Sequence, residues 1–82
     1  MSSVFAIFNE SAPKGTDLVI TEVVQPLRWT YEDALADLHQ IAEDNNVYVD
    51  DEATSVYVPL GDNHHLESDE YYIMELEVGN RG

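Results

Sequence analysis

The chain has 82 residues, no cysteine, and a formal charge of −14 from 17 Asp and Glu against three Lys and Arg. That length gives one small domain, 1–82, with a single core and a thin stability margin. The missing cysteine excludes disulfides, thiolate nucleophiles and thiolate-bound metals, and the charge repels nucleic acid and anionic membranes while favouring basic protein surfaces.

The N-terminal stretch MSSVFAIFNES lacks the basic region and long apolar run of a signal peptide. No stretch approaches the roughly 20 apolar residues that span a bilayer. The expectation is a soluble, cytoplasmic protein.

Residues 4–8, VFAIF, form a continuous apolar run that reads as a strand buried on both faces. Residues 9–17, with Pro13 and Gly15, read as a loop. Residues 18–24, LVITEVV, are rich in β-branched side chains and give a second strand, which Pro26 should end.

The one strong helix signal is 30–46, TYEDALADLHQIAEDNN. Thr30 is placed to cap it, with Asp33 three residues on and Glu32 beside it in the dipole-favoured first turn. Tyr31, Ala34, Leu35, Leu38, Ile41 and Ala42 recur at helical spacing and define a buried stripe. Asn45 or Asn46 should close the helix in the left-handed conformation. Glu43 and Asp44 break the pattern, because carboxylates in a last turn oppose the dipole.

Residues 47–52 read either as a short edge strand or as an extended loop. Residues 54–60 alternate, with Val56, Val58 and Leu60 on one side, and read as a half-buried strand near Pro59. Residues 61–69 read as a polar loop. Residues 70–78 alternate again, and the pattern places Tyr72, Met74, Leu76 and Val78 on the core, with Tyr71, Ile73, Glu75 and Glu77 facing away. Residues 79–82 should fray.

The order ββαββ predicts an α+β fold: a four-stranded antiparallel sheet (five-stranded if 47–52 pairs) with one helix across one face. The uncovered face should then carry some of Phe5, Ile7, Val19, Val23, Tyr57, Tyr71 and Ile73, beside Glu75 and Glu77. Such an apolar patch predicts a homodimer or a docked partner.

Candidate chemistry is sparse. His64 and His65 sit among Asp62, Glu67, Asp69 and Glu70, but adjacent histidines on an extended chain diverge, and the spacing matches no zinc or calcium motif. His39 and Glu43 lie one helical turn apart and read as a surface pair. No catalytic residue, metal site or cofactor is assigned, and the chain is read as a non-enzyme. Trp29 and the tyrosines lack the basic groove of a base-stacking platform. Tyr31 and Tyr72 are expected in the core. Tyr48, Tyr57 and Tyr71, ringed by carboxylates, have the layout of a protein-binding patch.

Between Arg28 and Arg81 lie 14 carboxylates and no Lys or Arg. One reading is nucleic-acid mimicry, with the acids imitating phosphates in the basic groove of a host nucleic-acid-binding protein. The other is a solvated surface or adaptation to high salt, on an assembly domain that oligomerises through its open sheet face. The residues assigned to partner binding are Glu43, Asp44, Asp50, Asp51, Glu52, Asp69, Glu70, Tyr71, Glu75 and Glu77.

The segments VFAIF, GTDLVITEVV, YEDALADLHQIAE and YYIMELEV together resemble small accessory proteins of bacteriophages, notably those of actinobacteria. Ala34 and Leu38 in the helix, then Tyr71, Tyr72, Ile73, Glu75 and Glu77, carry the resemblance. It implies a protein that acts in the host cytoplasm by binding and diverting a host protein. It transfers no catalytic residue, and it has no counterpart for the loop around His64 and His65.

Overall fold

A computed structural model describes residues 2–78 of the chain. Its elements are β1 (Ser2–Pro13), β2 (Ile20–Arg28), α1 (Tyr31–Asp44), β3 (Ser55–Tyr57) and β4 (Leu66–Val78). The four strands make one antiparallel sheet in the order β2-β1-β4-β3, with α1 on one face. The fold is α+β, as the pattern predicted. Residues 47–52 form no strand and run as a loop. The expected fraying of 79–82 lies outside the described residues.

The helix forms where its signals lie. Thr30 has extended backbone, and its hydroxyl accepts from the Asp33 N–H at 3.2 Å. At the other end Asn46 takes the left-handed conformation, φ 58°. The Val47 N–H then reaches the Ala42 carbonyl at 2.8 Å and the Asn46 N–H reaches Glu43 at 3.0 Å, which is a Schellman closure. Ala34, Leu38 and Ala42 are buried, while Leu35 and Ile41 flank them half-buried. Tyr31, expected in the core, is exposed at the helix start, where its ring meets Phe5 edge-on at 5.9 Å. The core joins Leu38 and Ala42 to Ile7, Val56 and Val58, with Val24, Tyr71 and Ile73 packed around them.

The strands run longer than the apolar runs suggested. β1 continues to Pro13 and β4 starts at Leu66, so much of both expected loops is sheet. Backbone pairing explains this: each residue from Ser2 to Ala12 has a partner on β4 whatever its polarity, including Glu10 with Glu70 and Ser11 with Asp69. β2 likewise passes through Pro26 to Arg28. There the register slips from Ile7↔Val24 to Phe5↔Arg28, and β2 lies at a sheet edge, where a residue without an N–H is tolerated.

The facing of β4 is the reverse of that expected. Register with β1 puts Phe5, Ile7 and Asn9 beside Glu75, Ile73 and Tyr71 on the helix side, and the core contains Ile7, Ile73 and Tyr71. Val4, Ala6 and Phe8 lie with Leu76, Met74 and Tyr72 on the far side, where Phe8 and Tyr72 stack at 6.0 Å. The cause is length. Thirteen strand residues span about 43 Å, whereas 14 helical residues span about 21 Å. The helix covers only the middle of β4, so the terminal Glu75 and Glu77 share the helix side without being under it. Their alternation with Leu76 and Val78 therefore marks the far face, not the core.

The far face carries exposed apolar side chains beside Glu10 and Glu70, with a membership different from that expected; Glu75 and Glu77 lie on the helix side. Phe5, Ile7, Tyr71 and Ile73 belong to the helix side, and Val19 lies in the loop before β2. Val23 and Tyr57 stay on the far side, joined by Phe8, Tyr72 and Met74. The smallest principal extent, 17 Å, fits one helix layer on one sheet.

Candidate partner-binding surface

The helix layer collects the carboxylates. Glu43 and Asp44 are exposed in the last turn of α1, where Gln40 Nε2 donates to Asp44 Oδ1 at 3.0 Å. The chain then runs through Asp50, Asp51 and Glu52, all exposed, in a turn closed by the Ala53 N–H on the Asp50 carbonyl at 3.0 Å. His39 fixes this loop to the helix, its Nε2 lying 3.2 Å from the Ala53 carbonyl oxygen. A carbonyl only accepts, so Nε2 carries the proton. His39 thus anchors the acidic loop, in place of the expected surface pairing with Glu43. Five carboxylates, Glu43 to Glu52, sit on one helix end and the loop tied to it.

Glu75 and Glu77 are exposed on the same side of the sheet but at the other end of the helix. There Phe5, the partner of Glu75, meets Tyr31 in the helix's first turn beside Glu32 and Asp33. Successive same-side residues of a strand stand about 6.6–6.8 Å apart, which spaces Glu75 and Glu77. The assigned acids therefore fall into two groups at opposite ends of one layer, not one row.

Asp69 and Glu70 lie between. Asp69 is half-buried and accepts from Asn9 Nδ2. Glu70 points to the far side and pairs in register with Glu10, a like-charge opposition that costs stability. Tyr72 Oη donates to Glu10 Oε2 at 3.3 Å and relieves part of it. Tyr71, assigned to partner contact, packs instead with Val56 and Ile73 under the helix. Burial pushes its phenol above the usual tyrosine range, with the Asp69 charge adding to it. Burial and then Glu10 raise Tyr72 in the same way. Of the aromatic patch, Tyr48 at 92% exposure and Tyr57 remain open.

Compensating charge is scarce. Among the described residues the one ion pair joins Arg28 to Asp37, Nε to Oδ2 at 2.6 Å and Nη2 to Oδ1 at 3.1 Å. Lys14 Nζ donates to the Asp62 carbonyl at 2.9 Å. His64 and His65 do not diverge; their rings stack at 4.7 Å, and the Leu66 N–H donates to His64 Nδ1. Among the described residues no three His, Cys, Asp or Glu side chains gather as metal ligands. A groove of about 180 Å³ opens between α1 and β2, lined by Ile7, Val24, Pro26 and Ile41 with Asp37 beside them. Drug-sized ligands occupy about 300–1,000 Å³, so this groove suits a single side chain.

Sequence reasoning missed the surface around β2. Leu18, Val19, Ile20, Val23, Leu27 and Trp29 are exposed there. The available signal was charge: residues 18–31 contain one acid, Glu22, and one base, Arg28. No protein-family model, curated protein or solved structure matches the chain.

Proposed function

We propose that the chain is a binding protein whose acidic helix layer engages a basic protein surface, most concretely as a nucleic-acid mimic that blocks a host nucleic-acid-binding protein. The observation behind this reading is the crowding of five exposed carboxylates at one end of the helix layer. Glu43, Asp44, Asp50, Asp51 and Glu52 crowd one helix end without a basic neighbour in sequence, while the far face carries Phe8, Tyr72 and Met74. A field of that sign accelerates encounter with a basic groove and weakens with salt. The likeness to phage accessory proteins agrees with a diverted host factor as target. Glu43 and Asp44 also occupy a helix end where carboxylates oppose the dipole by about 0.3–1 kcal/mol each. A solvated face has no need of acids at that position.

Capture from lysate at low salt, with the wild type and an Asp50→Lys, Asp51→Lys, Glu52→Lys variant, tests the reading. Wild type should retain nucleic-acid-binding proteins that elute as salt rises, and the variant should lose them. Equal capture by both removes this loop from the contact.

A further inference from the structure

We propose that the protein forms a two-fold dimer by antiparallel pairing of its β2 edge with the β2 edge of a second copy, centred on Thr21. This interface lies apart from the acidic helix layer and does not depend on the basic partner.

β2 is an outer strand of the sheet. Among the described residues, no hydrogen bond outside the β1–β2 ladder reaches the backbone of Ile20–Arg28. An outer strand of this kind is a template for another strand unless charge, proline or a covering segment blunts it. Here the run Leu18 to Val24 contains no Lys and no Pro, and its single charge is Glu22. Leu18 is 64% exposed, and Trp29, just past the strand, is 71% exposed.

The charge distribution selects a second copy as the occupant. A basic partner is drawn to the 14 carboxylates of residues 32–78. Two copies of a −14 chain repel least where charge is sparse: residues 18–24 carry Glu22 alone, and Arg28 further along the strand is neutralised by Asp37. The opposite edge is unsuited to continuing a sheet: β3 has three residues and Pro59 follows it closely. Pairing through β2 therefore closes at two copies.

Register follows from symmetry. In an antiparallel pair of identical strands the residue on the axis faces itself. An axis at Glu22 sets two carboxylates directly opposite, which is destabilising. An axis at Val23 brings the partner's Glu22 onto Val24, at the apolar groove that already holds Asp37. An axis at Thr21 avoids both. It sets Thr21 on the partner's Thr21, Val19 on the partner's Val23, and Leu18 on the partner's Val24. Val24 lines the groove between α1 and β2, so Leu18 extending β2 arrives at a hole of one side chain's size. Pro26 falls outside the seven-residue run.

The chain has no cysteine, so Thr21→Cys introduces one reporter at the axis. Sedimentation of the wild type across micromolar concentrations should show a dimer that added salt tightens, because salt screens the repulsion of two acidic chains. Under mild oxidation Thr21→Cys should cross-link to covalent dimer at least about tenfold faster than Tyr48→Cys, since facing strand residues lie within disulfide reach. Thr21→Glu, checked for folding by circular dichroism, should raise the dimer dissociation constant about tenfold or more by placing two carboxylates opposite each other, each beside Glu10 of its own β1. A monomer at every concentration and salt overturns the proposal. So does a dimer in which Thr21→Cys cross-links no faster than Tyr48→Cys. Basic-partner capture weakens with salt while this dimer strengthens, so the failure of one is not the failure of the other.

Discussion

At the residue scale, the structure rests on a few side chains with one clear job each. Leu38 is fully buried at the centre of the core and touches both sheet and helix neighbours. Leu38→Ala should cost about 2–5 kcal/mol, most of the stability of so small a domain, and thermal denaturation would read this as loss of a cooperative transition near room temperature. Thr30→Ala removes a cap bond and should cost about 1 kcal/mol, measurable by urea titration. Tyr71 and Tyr72 give the fold an alkaline limit. Both phenols have folded-state values raised by burial, so their contribution is fully present below the ordinary tyrosine value of about 10 and is lost as pH rises through the raised values. Chemical denaturation between pH 8 and 11.5 should show stability falling above about pH 10. Replacing both with Phe should flatten that fall.

At the element scale, α1 was legible and the strands were only partly so. Cap, stripe and closing asparagine are local features, and Thr30, Leu38 and Asn46 behave as their sequence positions indicate. β4 was not legible in its facing, because apolar residues occupy both parities from Tyr71 to Met74. Only contact with a helix half its length decides which parity is core. The ends of β1 and β4 could not be read either, since their polar residues are held by ladder partners remote in sequence, as Glu10 is by Glu70. Of the candidate surface, the grouping of Glu43 and Asp44 with Asp50, Asp51 and Glu52 could be read because they are close in sequence. The anchoring of their loop by His39 on Ala53 could not, because that bond joins residues with no shared pattern. The end of α1 allows a test that separates stability from binding. Glu43→Lys should stabilise the helix by about 0.3–1 kcal/mol through the dipole and should weaken capture of a basic partner. A variant less stable than wild type would contradict the dipole argument.

At the scale of the whole molecule, acids crowd one layer of a thin fold. The helix layer gathers acids from α1, the following loop and the end of β4; the far face exposes apolar side chains beside the Glu10–Glu70 pair, and the β2 edge exposes apolar side chains with Glu22 and Arg28. With 17 acids and one ion pair among the described residues, self-repulsion opposes the compact state. The melting temperature should therefore rise with sodium chloride in a range where the screening length drops below about 10 Å. The central claim is that the acidic layer occupies the groove its partner uses for nucleic acid, and competition tests this most directly. A partner captured at low salt is titrated with double-stranded DNA or RNA while its bound fraction is followed by fluorescence anisotropy of the labelled acidic protein. The account predicts full, mutually exclusive displacement, with release tracking nucleic-acid occupancy. A ternary complex, with the acidic protein still bound when the partner is saturated with nucleic acid, would contradict it.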